Sequence, residues 1–192
     1  GALDLGCAVG RSAFELAWDC MEVVGIDLSQ SFIAAARTLR EKGELEYSVS
    51  GEGERMERLI ARVPPAIDRS RVHFETGDAT ELRADLGTFD LILGANLIDR
   101  LSAPRRLLRR LPALLRPGGQ LILTSPYTWL EEFTPKQEWL GGTELQSTQA
   151  AIEEALSPDF ELRKTLELPF LIREHARKYQ WSVAQATIWR RR

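Results

Sequence analysis

At 192 residues, 44% hydrophobic and 28% charged, the chain has the size and make-up of one globular domain with a real core. A formal net charge of −3 gives no global attraction to nucleic acid or to an anionic membrane, and no apolar run is long enough to span a bilayer. The two cysteines, Cys7 and Cys20, make neither a disulfide framework nor a metal motif, so no metal is expected and a reducing, cytoplasmic setting is.

"ALDL" reads as a short apolar strand, followed by a helical stretch "RSAFELAWD" with Phe14, Ala17 and Trp18 or Met21 on one side. "VVGID" is a second strand. Ser29 then caps a helix "QSFIAAARTLREKG" that Gly43 closes. Residues 44–70 break the rhythm and read as an inserted flap, with a small hairpin in "LEYSVSGEGE" and a short helix in "RMERLIARV". "VHFETGD" and "FDLILGAN" are further strands. Ser102 and Pro104 start a helix that Pro117, Gly118 and Gly119 stop, with Pro112 expected to kink it or to end its first segment. "QLILTS" is apolar on both pleat faces, as a parallel sheet covered on both sides requires. "FELRKTLEL" and "SVAQATIWRR" read as a terminal antiparallel pair, and "PFLIREHARKYQW" between them as a connection with substrate potential. Strands alternating with helices predict one α/β domain over 1–192, a three-layer Rossmann-like sandwich on a mostly parallel seven-stranded sheet with an antiparallel C-terminal strand. A chain that opens directly on its first core strand is expected to be a domain of a longer protein.

In such a sheet the ligand crevice lies beyond the carboxyl ends of the strands. "LDLGCAVGRS" puts Asp4 inside the first strand, Gly6 at the turn, and Gly10 where either a ligand or a close helix needs room. Ala8 breaks the dinucleotide pattern G-x-G-x-x-G, which argues against a pyrophosphate site. Asp27 ends the second strand, where an acid accepts from ribose hydroxyls; Leu28 follows it on the same ligand side. Asp78 and the Ala79 amide end the third strand, within reach of an adenine amino group and ring nitrogen. Acids at three consecutive strand ends, with no phosphate-loop lysine, describe a nucleoside without phosphates, and S-adenosylmethionine, a sulfonium cation, fits.

The motifs "DLGCAVG", "GID", "GDA" and "LRPGG" resemble the class I S-adenosylmethionine-dependent methyltransferases over essentially the whole chain, with Ala8 standing where that family has its central glycine. Asn96 then lies where the transferable methyl would point, touching cofactor and acceptor, with Asp99 and Arg100 a turn beyond. The loop 126–142 crowds Tyr127, Trp129, Phe133 and Trp139 beside Glu131, Glu132 and Glu138. Aromatic walls exclude water and lie against a planar or cationic acceptor, while carboxylates fix an amine or imidazolium. Arg173, His175 and Tyr179 supply a cation, an imidazole and a phenol for a small zwitterion.

"CAVGRS", "NLIDRL", "SPYTWLEEFTP", "EWLGG" and the ending "PFLIREHARKYQWSVAQATIWRR" resemble a narrower group, the C-terminal methyltransferase domain of ovothiol-biosynthesis enzymes, which follows an iron-dependent sulfoxide synthase. The resemblance implies methylation of the π nitrogen of 5-thiohistidine, giving ovothiol A and S-adenosylhomocysteine, by a domain fused to or working with such a synthase. Candidate catalytic groups are Asn96 or Tyr127 to orient the ring, Glu131 or Asp99 to take a proton, and Arg173 or Arg100 to hold the carboxylate or thiolate. Trp129, His175 and Tyr179 complete the substrate set. Two alternatives stay open: N-methylation of another small imidazole or amine, and a non-catalytic interaction module on the same fold.

Overall fold

The computed structural model describes all residues, Gly1–Arg192. Nine strands and four helices follow in the order β1 (Ala2–Leu5), α1 (Arg11–Leu16), β2 (Val23–Asp27), α2 (Gln30–Lys42), β3 (Glu44–Ser50), β4 (Met56–Arg62), β5 (Val72–Thr76), β6 (Phe89–Ala95), α3 (Pro104–Leu114), β7 (Leu115–Ser125), α4 (Thr148–Leu156), β8 (Phe160–His175) and β9 (Lys178–Arg191). Seven strands form one sheet in the order β5-β2-β1-β6-β7-β9-β8, with β3 and β4 paired apart from it. The first five are mutually parallel, and β9 runs antiparallel to both β7 and β8. Strand order reverses between β1 and β6, and that switch point is where an open parallel sheet presents a crevice.

Period-two alternation assigns each strand residue to one of two cores. On one face Leu3, Leu5, Ile92, Leu121 and Trp189 meet Leu107, Leu111, Leu114, Ile152 and Leu156 of α3 and α4. On the other, Ala2, Val23 and Val72 meet Ala13 and Phe14 of α1 and Ile33, Ala36 and Leu39 of α2. Helix α2 begins where the Ser29 hydroxyl accepts from the Phe32 amide and ends where Gly43 turns left-handed, with Arg40 and Lys42 in its last turn suiting the helix dipole. No helix is long and apolar enough to cross a membrane.

Three expectations need correction. Residues 56–62 form a strand, not a helix, pairing with 44–50 from Glu44↔Arg62 to Ser50↔Met56. The helix-forming residues Met56, Glu57 and Arg58 yield because this register sets Leu45 and Ala61 against the α1/α2 core. Pro112 does not divide α3, which runs unbroken to Leu114 and so ends ahead of Pro117, Gly118 and Gly119, residues of β7; it removes one backbone donor two residues before that end. Residues 169–181 are not a connection. They belong to a continuous ribbon, β8 and β9 pairing from Phe160↔Arg191 to His175↔Lys178, while β7 accompanies β9 only as far as Ser125↔Gln185. Beyond that point the ribbon overhangs the carboxyl edge by eight residues of β8, Leu168–His175, roughly 25 Å at about 3.3 Å per residue.

Cys7 lies in the α1/α2 core and is 2% exposed, and burial, followed by the charges of Asp4 and Asp27, pushes its thiol pKa far up. Cys20 is half-buried. Titration of the native protein with a thiol reagent at pH 8 is therefore expected to modify Cys20 alone, with Cys7 reacting only in denaturant.

Candidate functional site

A cavity of about 570 Å³ opens at the carboxyl ends of β1, β2, β5 and β6, within the roughly 300–1,000 Å³ of small-molecule sites. Gly6, Ile26, Asp27, Leu28, Phe32, Asp78 and Ala79 line its first half, and Asn96, Leu97, Arg100, Leu101, Ser102, Glu132 and Phe133 its second.

The turn after β1 threads three left-handed residues, Gly6 (φ +69°), Ala8 (φ +48°) and Gly10 (φ +90°). The Gly6 and Cys7 amides donate to the Ile26 carbonyl at 2.8 and 3.1 Å, and the Ala8 amide donates to Asp27 Oδ2 at 2.9 Å. Ala8 thus holds the backbone shape of the glycine it replaces, at a cost of about 1–2 kcal/mol, and its methyl is not on the cavity wall. Gly10 resolves to the packing alternative, because a Cβ there would stand 2.5 Å from Phe74 Cζ, in the edge-to-face pair of Phe14 and Phe74. Gly10 does not line the cavity.

Asp27 accepts one backbone bond on each oxygen, from Ala8 and from Ser29 at 2.9 Å, which leaves lone pairs toward the cavity for ribose hydroxyls. Asp78 spends only Oδ1, on the Thr80 amide and hydroxyl at 2.7 and 2.8 Å. Its Oδ2 and the Ala79 amide make no bond within the protein. Leu28 and Phe32, 71% and 47% exposed, offer apolar walls with nothing yet against them. Asp4 lies beneath the turn rather than on the cavity wall, fully buried; Oδ2 accepts from Ser12 Oγ at 2.7 Å and Oδ1 has no partner. Burial pushes its pKa up to about 7 against the Ser12 hydrogen bond, with Asp27 adding to the rise. The free Asp78 oxygen and the free Ala79 amide, both on the cavity wall, fit the donor and acceptor edge of a nucleoside base.

In the second half, Asn96 is held left-handed (φ +52°) by its amide on the Thr124 carbonyl at 2.8 Å and by its Oδ1, which accepts from Thr124 Oγ1 at 3.0 Å. Asp99 is fully buried and accepts from Ser125 Oγ (2.8 Å), the Thr128 amide (3.0 Å) and Arg100 Nη1 (2.9 Å). The expected substrate contact at Asp99 is therefore corrected to a brace. Arg100 Nη1 also donates to the Thr128 carbonyl at 2.7 Å, its guanidinium lies 5.0 Å over the Phe133 ring, and Nη2 and Nε stay free at the cavity wall.

The aromatic loop divides differently from expectation. Tyr127, left-handed at φ +53°, turns away from the cavity: its hydroxyl donates to Gln185 Oε1 at 2.9 Å, and burial, helped by Glu167, Glu153 and Asp99, pushes its pKa up to about 12. Trp129 donates its indole N–H to Thr148 Oγ1 at 2.9 Å and stacks on Trp139, 6.1 Å between centroids, so it anchors the loop to α4. Glu131 is exposed and off the wall, and Glu132 beside it is the carboxylate that lines the cavity. Arg173, His175 and Tyr179 lie on the overhanging ribbon, outside the cavity: Arg173 pairs with Glu57 at 3.3 Å, and His175 Nδ1 accepts from the Arg177 amide at 3.2 Å. Phe32, Leu97 and Leu101 were not singled out from sequence, Ser102 was read only as a helix start, and Glu132 was named only alongside Glu131 and Glu138. Phe32 carries a signal, an aromatic lying off the Ile33, Ala36, Leu39 stripe of its own helix.

Two outcomes follow from this geometry. Gly10→Ala is expected to destabilise the protein in urea by more than the ~1–2 kcal/mol of backbone strain alone, with Phe74→Leu restoring the excess and S-adenosylhomocysteine affinity holding in the folded fraction. For Asp4, the unfolded carboxyl ionises near pH 4 and the buried one near 7, so the native state holds the extra proton between them. Wild-type stability is then lost as pH rises through that window. Asp4→Asn should flatten that decline in thermal unfolding and abolish any rise in S-adenosylhomocysteine affinity across pH 7.

Among curated relatives, chemotaxis protein methyltransferase 1 of Pseudomonas aeruginosa is 35% identical over 115 residues, covering 54% of this chain and 40% of that one. Ubiquinone biosynthesis O-methyltransferase of Coxiella burnetii is 25% identical over 123 residues, covering 64% and 42%. The chain thus spans about two fifths of the length of these relatives. The N-methyltransferase NodS of Bradyrhizobium japonicum, solved with S-adenosylhomocysteine, superposes over 99% of this chain and 76% of its own with a TM-score of 0.62 at 16% identity, a likeness of fold. The model of one family, described as a methyltransferase domain, matches residues 3–123, most of the core sheet and the whole glycine turn, and the chain belongs to that family.

Proposed function

We propose that this domain moves the methyl group of S-adenosylmethionine to the π nitrogen of 5-thiohistidine, giving ovothiol A and S-adenosylhomocysteine. One observation carries the reading: the cavity has two chemically different halves, an acid-lined nucleoside half without a phosphate-binding cation, and a second half in which Arg100, Glu132, Phe133 and Asn96 converge. The long motifs of the loop 126–142 and of the C-terminal ribbon support the choice of acceptor.

S-adenosylmethionine, when bound, supplies a methyl group on a cationic sulfur; placement and desolvation fall to the chain. Asp27 takes the ribose hydroxyls, and Asp78 with the Ala79 amide takes the adenine edge. Asn96, pinned by Thr124, presents its side-chain amide at the junction of the two halves and orients the acceptor ring. The free edge of Arg100 holds the carboxylate or thiolate, in a geometry suited to bidentate pairing. Phe133 and Phe32 keep water from the reacting nitrogen. As that nitrogen uses its lone pair to form the new N–C bond, the C–S electrons leave with sulfur, and Glu132, directly or through water, takes the proton the ring gives up. Tyr127 and Asp99 act through position alone.

Incubation with S-adenosylmethionine and 5-thiohistidine, followed by mass and positional analysis, is expected to yield the π-N-methyl product; methylation of another imidazole or amine in its place would replace the acceptor named here. Calorimetry that detects no S-adenosylmethionine binding would leave only the non-catalytic module. Arg100→Gln is expected to raise the acceptor KM by about tenfold or more, the scale of a lost hydrogen bond to a charged group, with S-adenosylhomocysteine affinity little changed.

A further inference from the structure

The overhang of β8 and β9 carries two faces. The cross-strand pairs Pro169↔Val183, Leu171↔Trp181 and Arg173↔Tyr179 alternate with Leu168↔Ala184, Phe170↔Ser182 and Ile172↔Gln180, and residues of one set share a face. The first set continues the face of Glu167 and Gln185, whose carboxamide binds the Tyr127 hydroxyl and the Glu167 carboxylate. At the far end, Arg173 of this face pairs with Glu57 of the β3–β4 hairpin. A cavity of about 300 Å³ opens where the two hairpin tips meet, between Glu52, Arg55 and Met56 on one side and Ala176 and Arg177 on the other. One end of the face is therefore tied to the loop that follows β7 and the other to the hairpin packed on α2, so the ribbon arches across the carboxyl edge of the sheet.

Between those ties the face holds Leu171, Trp181 and Tyr179, which are 62%, 67% and 52% exposed. Three large apolar groups in a row, left open on a ribbon that overhangs the carboxyl edge of the sheet, are a wall without its ligand. The charges at its end select the ligand. The Arg173–Glu57 pair is 3.3 Å long with side chains 37% and 50% exposed, and such a surface pair is worth well under about 1 kcal/mol, so an incoming carboxylate displaces Glu57 at low cost. A guanidinium opposite Tyr179 in the ribbon and diagonal to Trp181 suits a planar ring bearing a carboxylate.

We propose that Leu171, Trp181, Tyr179 and Arg173 form the outer acceptor site of this domain, taking a planar, carboxylate-bearing acceptor whose carboxylate replaces Glu57 at Arg173. The proposal rests on the reading of the domain as a small-molecule N-methyltransferase and adds to it a site outside the main cavity, with the flap as its removable partner. Arg173 captures the acceptor at the arch and Arg100 serves the ring end deeper in.

Binding of 5-thiohistidine, histidine and histamine to protein saturated with S-adenosylhomocysteine tests it by calorimetry. Trp181→Ala is expected to weaken binding at least tenfold, Trp181→Phe to recover most of it, and Arg173→Gln to weaken the two amino acids but not histamine, with S-adenosylhomocysteine affinity unchanged throughout. Glu57→Gln should tighten the carboxylate-bearing ligands by about twofold to threefold. Wild-type affinity retained in both Trp181→Ala and Arg173→Gln overturns the outer site while leaving the methyl-transfer reading intact. Trp181-dependent binding of histidine but not of 5-thiohistidine upholds the site and overturns the named acceptor. If the wild-type protein binds none of the three, both fall.

Discussion

A single buried carboxylate, Asp99, organises the half of the cavity proposed as the acceptor end. Asp99 has no exposed surface, and an ionised acid so placed persists only when its lone pairs are filled. It fills them from its own turn and from one distant stretch: the Arg100 guanidinium next to it, and the Ser125 hydroxyl at the end of β7 with the Thr128 amide just beyond. Once those bonds form, Arg100 has one nitrogen committed to the scaffold and the rest of its fork free, Tyr127 lies left-handed between the bonded Ser125 and Thr128, and the aromatic loop starts from a fixed point. Asp27 does the same for the half proposed to hold the nucleoside, tying the glycine turn to the end of β2 through the Ala8 and Ser29 amides. Each acid sets the shape of its half of the cavity, and they differ in what remains: Asp27 keeps acceptor capacity for a ligand and Asp99 keeps almost none.

That difference explains which parts of the site could be read from residue order. Asp27, Asp78 and Gly6 follow from strand ends in a parallel sheet, because the carboxyl edge is where the fold exposes backbone and where any ligand must sit. The acceptor end depends on side-chain direction, which residue type alone does not set. Asp99 and Arg100 are adjacent and equally polar, yet one is sealed and the other faces the cavity. Glu131 and Glu132 are identical in chemistry, and only the turn conformation of the loop decides which reaches the wall. Trp129 has its nearest polar partner at Thr148, nineteen residues on, a contact no local pattern announces.

The strands were legible where helices cover both faces and illegible where both faces meet solvent. β1, β2, β6 and most of β7 lie between helical layers, and their apolar runs declare it. The ribbon beyond Gln185 has no third strand and no covering helix, so both of its faces meet solvent and the alternation that marks a half-buried strand is lost. The same holds for β3 and β4, whose residues are mostly exposed and whose second strand is written in helix-forming residues. Pairing, not propensity, decides both hairpins.

Those two hairpins are also the segments that a minimal sheet of this kind does not need. A βαβ unit passes from α2 to β5 directly, and β8 and β9 complete the sheet by Gln185. The additional chain costs conformational entropy of about 1–2 kcal/mol per residue and recovers little by burial, since Tyr47, Met56, Ile60, Leu171, Tyr179 and Trp181 all remain more than 40% exposed. A structure that leaves its apolar groups on two projecting ribbons, and joins the ribbons by one weak ion pair between Glu57 and Arg173, is incomplete without something between them. The crevice beneath them already offers Asp27, Asp78 and the Ala79 amide for the proposed nucleoside, so on that reading what completes the arch is the second reactant.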